Sequence, residues 1–252
     1  MRKINYGGQF IDKDDVKSVN KILFSDYLTT GPAVKKFESA TQKYLNCKYS
    51  LSCSSGTAAL HLSILSLGLK KKSIVIMPCI NFISSFNICR NLGYKIYFAD
   101  VDSSTGQMTP QTLLECMKKN KIKKVNLIIT MFLGGYAENI PNFFDLKKKY
   151  RFKIIEDSCH AFGSSYAYKN KIYKVGCCKH SDISTFSFHP LKTITTGEGG
   201  LITTNSKNII NKVQQLRNHG ILRNLKGFHW KYDVIESGYN YRLSDINCIL
   251  GL

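Results

Sequence analysis

The sequence predicts an α/β protein built on a largely parallel sheet. Three observations carry this. Apolar, β-branched runs recur along the chain and alternate with amphipathic stretches at helical spacing. Several of those runs are continuously apolar, as strands covered on both faces are. With 252 residues, 43% of them hydrophobic, the chain can bury the core of one large domain, or of a domain and a fragment.

Taken in order, helical spacing runs over 12–24 (DKDDVKSVNKILF) and 32–45 (PAVKKFESATQKYL). A strand follows at 49–54 (YSLSCS), then a helix at 56–68 (GTAALHLSILSLG). Further strands are expected at 73–77, 94–99, 126–131, 152–156, 182–188 and 200–204, with a helix at 140–150 (IPNFFDLKKKY). Strand–helix alternation of this kind indicates crossover connections and parallel pairing. The strands are expected to stop near 204, where helix-like NIINKVQQLRN begins and a loop-like stretch, LRNLKGFHWKYDVIESGYNYR, succeeds it. The final RLSDINCILGL (242–252) reads as an amphipathic helix with Ser244 as N-cap, and it stops in mid-pattern without a C-cap. A truncated protein is the expectation, with 1–237 as an N-terminal segment plus large domain and 238–252 as the start of a C-terminal region.

The formal charge of +19 comes from 36 Lys and Arg against 17 Asp and Glu. The basic residues are mostly Lys in short clusters, KKK (70–72), KIKK (121–124) and KKKYRFK (147–153), beside expected helices and turns. They read as solvated faces, so neither nucleic acid nor a membrane is an expected partner. The nine cysteines are odd in number and irregular in spacing, which makes a poor disulfide framework and no zinc pattern, so a reducing, cytoplasmic setting fits and no metal is expected. The start, MRKINYGGQF, has no apolar h-region, and no stretch of 18 apolar residues exists.

Three segments fall at the C-terminal ends of expected strands, where ligands of open parallel sheets bind. In SCSSGTAALHL (52–62) a strand gives way to small residues that open a helix, a natural phosphate cradle at Thr57 and Ala58. Alone, it is weak evidence, because a Ser/Thr-rich N-cap before a core helix does the same structural job. In FKIIEDSCHAFGSSY (152–166) a strand delivers Asp157 to its edge, with His160 three residues on. A carboxylate there suits a protonated nitrogen heterocycle, and it also suits a turn. In FSFHPLKTITTGEGG (186–200) Lys192 follows a strand, as a solvated lysine or as an amine able to attack carbonyls. A phosphate cradle, a carboxylate for a ring nitrogen and a Schiff-base lysine are together what pyridoxal 5'-phosphate (PLP) requires.

These residues, with LTTGP (28–32), RNHGI (217–221) and GYNYRLSDINCILGL (238–252), resemble the DegT-type sugar aminotransferases over essentially the whole chain. The resemblance implies the large domain of an aspartate aminotransferase-like, fold type I, PLP-dependent transferase, with most of the smaller C-terminal domain missing. It implies Lys192 as the lysine that bonds to the cofactor and moves the proton, and Asp157 as partner of the pyridine nitrogen. His160 is implied at the ring's hydroxyl side, Thr57, Ala58 and Ser187 at the phosphate, and Phe82 stacked on the ring. Asn240 is implied to reach the phosphate in a neighbouring subunit, hence a homodimer with shared sites. Thr29 is implied at the sugar nucleotide. INYGGQFIDKDD, HWKYDV and the lysine segment look closest to the branch of the family in pseudaminic acid biosynthesis. That branch moves an amino group from glutamate, yielding 2-oxoglutarate, to C4 of a UDP-linked 4-keto-6-deoxy-N-acetyl hexose. Perosamine- or bacillosamine-type aminotransferases and a non-catalytic, PLP-binding protein are the alternatives. Related dehydratases carry histidine at the lysine position, against which Lys192 argues.

Overall fold

The structure is a computed structural model, and it describes residues 7–223, 228 and 230–252. Seven strands make one sheet: β1 (Tyr49–Cys53), β2 (Ile74–Pro78), β3 (Lys95–Ala99), β4 (Leu127–Met131), β5 (Lys153–Asp157), β8 (Ile183–Ser187) and β9 (Gly200–Thr204). Two hairpins, β6 (Ser165–Tyr168) with β7 (Lys171–Lys174) and β10 (Ile221–Arg223) with β11 (Tyr232–Val234), stand apart from it. The helices are α1 (Lys13–Leu23), α2 (Pro32–Leu45), α3 (Gly56–Ser66), α4 (Ile83–Asn91), α5 (Pro110–Lys119), α6 (Ile140–Tyr150), α7 (Lys207–Arg217) and α8 (Asp245–Leu250).

The sheet order is β1-β9-β8-β5-β4-β2-β3, and β9 alone runs against the rest. The mostly parallel sheet is therefore as the sequence indicates, and all seven of its strands fall on the expected runs. The pleat sorts side chains between two layers. Val75, Leu127, Ile129, Ile155, Ile183 and Ile202 enter one core with α3 and α7. Ile76, Ile128 and Ile154 enter another with α5 and α6, and Phe186 and Leu201 join α2 and α8 in a third.

Two expectations are corrected. Strands do not end near 204, because β10 and β11 pair within the stretch read as loop. Each is three residues long and the β11 residues are exposed, so no apolar run marks them. The family-branch motifs INYGGQFIDKDD and HWKYDV lie partly outside the described residues. Nor does the last helix stop without a C-cap: α8 ends on Gly251, whose N–H donates to the Asn247 carbonyl at 3.3 Å, and Leu243 and Cys248 are buried in one cluster with Phe37 of α2. Ser244 is its N-cap, accepting from the Asn247 N–H at 3.1 Å. The Asp245 carboxylate is fully buried and accepts the Gly31 and Ala33 N–H groups at 2.7 and 2.9 Å. It thereby caps α2, whose own N-cap, Gly31, has no side chain for the task. Helices α4 and α5 and the β6–β7 hairpin were not anticipated.

All nine cysteines carry free thiols. Burial pushes Cys47 up to about 11 and Cys53 and Cys89 up to about 12, so these remain neutral, small hydrophobes.

Glu156 points to the face opposite Asp157, and burial raises its pKa from 4.5 to about 7. A carboxyl raised in the fold is protonated there while the unfolded chain has already lost its proton. Its contribution is thus fully present below pH 4.5 and falls as pH rises from 4.5 to 7. Glu156→Gln is expected to raise the melting temperature by several degrees at pH 8 and to leave it nearly unchanged at pH 4.5, read by thermal melts at both pH values.

Candidate active site

Four neighbouring pieces converge at the C-terminal edge of the parallel strands. Register places Met131 of β4 beside Asp157 of β5, and Asp157 beside Thr185 of β8. With a period of two, Met131, Asp157 and Ser187 share the face that carries α3. The N-terminus of α3 opens over that face. The β8–β9 connection then brings Lys192 round the same edge. A cavity of about 510 Å³ lies between, lined among others by Thr57, Phe82, Asp157, His160, Ser187 and Lys192.

Asp157 is 1% exposed, and its Oδ1 accepts the Cys159 N–H at 3.2 Å. Burial raises its pKa, while the Cys159 hydrogen bonds and the Lys192 charge pull the other way. A buried carboxylate in this balance gains most from a cationic ligand group beside it. Burial and the neighbouring Asp157 hold the Cys159 thiol well above its usual range, so it stays protonated. His160 is drawn below its ordinary pKa by burial and then by Lys192. Its Nδ1 lies 3.3 Å from the Gly134 N–H and accepts from it, which leaves the Nε2–H as donor.

Gly56 and Thr57 are the first residues of α3, and both line the cavity. Their N–H groups have no intrahelical acceptor, and the helix dipole adds positive potential. Ala58 is different. Its N–H is taken by the Ser55 N-cap hydroxyl at 3.1 Å, and its buried side chain does not line the cavity. Ser187 packs directly on the cradle: a Cβ on Gly56 would stand 2.8 Å from Ser187 Cβ and 3.1 Å from Cys159 Sγ. Phe82, 65% exposed, sits at the cavity's lip as N-cap of α4.

Lys192 lies in neither helix nor strand, and side-chain hydroxyls shape its loop. Its own N–H donates to the His189 carbonyl at 2.8 Å. Thr195 Oγ1 donates to the Phe188 carbonyl at 3.0 Å, and Thr196 Oγ1 to the Glu198 carbonyl at 2.9 Å. Asn247 Nδ2 ties the Thr196 carbonyl to α8 at 2.6 Å. The loop ends on Gly200, between Ser187 and Cys53, where any Cβ would stand 2.2 Å from the Ser55 carbonyl oxygen. The threonines and glycines of TTGEGG thus hold the lysine loop against the cradle.

Besides Ala58, two expected residues lie outside the cavity. Thr29 is exposed and bridges to Ser244, and Asn240 is exposed and bridges to Asn218. Sequence reasoning missed Ser55, Cys159, His189 and Glu198, which also line the cavity. All four lie inside the quoted motifs, and that membership was the available signal.

This arrangement can hold a phosphorylated, carbonyl-bearing heterocycle: anion donors at one end, a buried carboxylate and an amine at the other. The comparisons with known proteins agree. The profile of the DegT/DnrJ/EryC1/StrS aminotransferase family matches residues 9–252, and the chain belongs to that family. It is 38% identical over 249 residues to the UDP-4-amino-4,6-dideoxy-N-acetyl-beta-L-altrosamine transaminase of Campylobacter jejuni subsp. jejuni serotype O:23/36, covering 99% of this chain and 63% of that protein. It is 35% identical over 235 residues to the GDP-perosamine synthase of Escherichia coli O157:H7, covering 93% and 60%. Among solved structures, Helicobacter pylori PseC, an aminotransferase involved in the biosynthesis of pseudoaminic acid, superposes with a TM-score of 0.88 at 30% identity, covering 99% of this chain and 64% of that one. The PLP form of a putative sugar aminotransferase from Streptococcus pneumoniae, Spr1654, gives 0.85 at 26%, covering 98% and 65%. The chain therefore spans a little under two thirds of the length of these relatives.

Gly56→Ala is expected to lower stability by about 1–3 kcal/mol through overpacking against Ser187, read as a lowered melting temperature. Gly8→Ala, where nothing lies within 4 Å of the added Cβ, is expected to leave it unchanged.

Proposed function

We propose that this chain is the cofactor-binding part of a PLP-dependent aminotransferase. The reaction is transfer of an amino group from glutamate, leaving 2-oxoglutarate, to C4 of a UDP-linked 4-keto-6-deoxy-N-acetyl hexose, in nucleotide-sugar biosynthesis of the pseudaminic acid type. The observation that carries this reading is the convergence of Lys192, buried Asp157 and the open N-terminus of α3 on one cavity. Family membership supports it, as does the PLP form of the similar Streptococcus pneumoniae protein. The finer choice of sugar rests on the transaminase from Campylobacter jejuni and on PseC.

The cofactor, when bound, supplies an electron sink for a carbanion. The chain's own residues supply the rest. The Gly56 and Thr57 N–H groups and the Ser187 hydroxyl receive the phosphate. Asp157 holds a proton on the ring nitrogen: a carboxylate this deeply buried is stable as an anion only with a cation beside it, so the two charges form together. Phe82 would cover the ring face, and His160 Nε2–H would donate on the ring's hydroxyl side. Lys192 Nζ would hold the carbonyl end of the cofactor. As general base and acid, the Lys192 amine would take the donor's α-proton and, in the second half-reaction, return a proton at C4 of the sugar. Thr29 belongs to the sugar-nucleotide region, and Asn240, outside its own chain's cavity, reaches the phosphate of a second copy in a homodimer. The large domain runs over 1–237, with 238–252 opening a C-terminal region. The free thiols suit the cytoplasm.

The test is the spectrum of the purified chain with PLP, before and after glutamate. A visible band that glutamate converts to the near-ultraviolet pyridoxamine form is the expected result. Lys192→Ala is expected to lose the visible band and to slow the glutamate step by about 1,000-fold or more. Asp157→Asn is expected to keep the band and slow the step. A visible band that persists in Lys192→Ala overturns the lysine assignment. A band that glutamate leaves unchanged in the wild-type chain marks a binding protein instead.

A further inference from the structure

The three lysine clusters that read as separate solvated faces are gathered by the fold. KKK (70–72) immediately precedes β2, KIKK (121–124) precedes β4, and KKKYRFK (147–153) leads into β5. These strands are consecutive in the sheet, in the order β5-β4-β2. Parallel pairing puts all three starts on one edge. The backbone confirms the adjacency: the Lys153 N–H donates to the Asn126 carbonyl at 2.9 Å, and the Asn126 N–H to the Ile74 carbonyl at 2.9 Å. Strand starts repeat every ~4.8 Å, so segments some 80 residues apart along the chain stand within roughly 10 Å of each other. β3, next in the sheet, adds Lys95 to the same edge, its N–H donating to the Ser73 carbonyl at 2.9 Å.

The charge there is little compensated. Among the described residues, the carboxylates paired with these clusters are Asp182, with Lys147 and Lys153, and Asp145, with Lys148. Lys70, Lys71, Lys118, Lys123 and Lys149 are exposed. Lys72, Lys121 and Arg151 carry positive φ angles of 68, 53 and 58°, the left-handed region that glycine or asparagine adopts more readily. Basic residues thus occupy all three tight entries to the strands, where the backbone favours other types.

We propose that this edge of the sheet is a docking face for an anionic lipid bilayer. The cations are nearly all lysines, which act as diffuse point charges, and the bidentate arginine forks that grip nucleic-acid phosphates are scarce. No large exposed aromatic side chain stands in the three clusters to stack on bases, among the described residues. The face is built from a row of strand ends, which matches a planar charged surface. It also lies at the opposite end of the strands from the cavity, so docking leaves the cavity mouth open to solvent. Binding of this kind is electrostatic and salt-sensitive, without an inserted anchor.

The full chain is sedimented with vesicles of phosphatidylcholine mixed with phosphatidylglycerol and with vesicles of phosphatidylcholine alone. Binding is expected only to the anionic vesicles at about 0.1 M salt, and is expected to vanish at about 0.5 M. The combined substitution Lys71→Gln, Lys118→Gln, Lys123→Gln and Lys149→Gln is expected to weaken it by about 100-fold. A control neutralising Lys13, Lys17, Lys35 and Lys36, on α1 and the first half of α2, is expected to keep it within a few-fold. Matching melting temperatures exclude misfolding in either variant. Equal weakening by both sets would show a response to net charge alone and overturn the assignment. So would absent vesicle binding, or tight binding to duplex DNA that the four substitutions at the strand starts abolish while vesicles do not bind.

Discussion

The site depends on one constraint: a carboxylate, Asp157, held almost wholly out of water at the end of a parallel strand. Such a group is costly unless something cationic or hydrogen-bonding meets it. Here the Cys159 backbone and the charge of Lys192 meet it in part. The position is set by the pleat, because Asp157 lies an even number of residues from Ile155, a member of the core beneath α3. A one-residue slip of β5 would bury Glu156 in the cavity and turn Asp157 into the opposite layer. Register here is therefore chemistry as much as packing.

Much of this was legible in the sequence, for a physical reason. Parallel strands covered on both faces need apolar runs, and all seven central strands fall on apolar, β-branched stretches, several of them continuous. Thr57 and Asp157, at their C-terminal ends, follow once the runs are found, whereas Ser187 came through the resemblance. Lys192 was legible through its motif, since its loop is held by particular hydroxyls and by glycines that tolerate no Cβ. Phe82 was reached through the resemblance alone. An aromatic residue in an apolar context reads as core, and only the structure puts it in solvent at the cavity's lip. The small hairpins escaped for the opposite reason: they bury little, so no hydrophobic pattern records them.

The two ends of the parallel strands have diverged in character. One end collects small and hydroxyl-bearing residues around a buried acid. The other collects lysines in tight turns. The strands between are uniformly apolar, with Leu127, Ile128 and Ile129 each fully buried. The polarity of the sheet thus separates two kinds of electrostatic environment by the length of a five-residue strand, about 17 Å.

The Asp245 cap on α2 has a consequence for the order in which the molecule is assembled. The first turn of a helix near the amino terminus receives its carboxylate from a residue more than 200 positions later. β1 likewise waits for β9, which alone among the described strands lies beside it. A chain emerging from the ribosome therefore carries α2 and β1 through the synthesis of roughly 150 to 200 further residues without these partners. Contacts of such sequence separation close slowly. These early segments are secured late relative to their own synthesis, and until then they are ones a chaperone would meet.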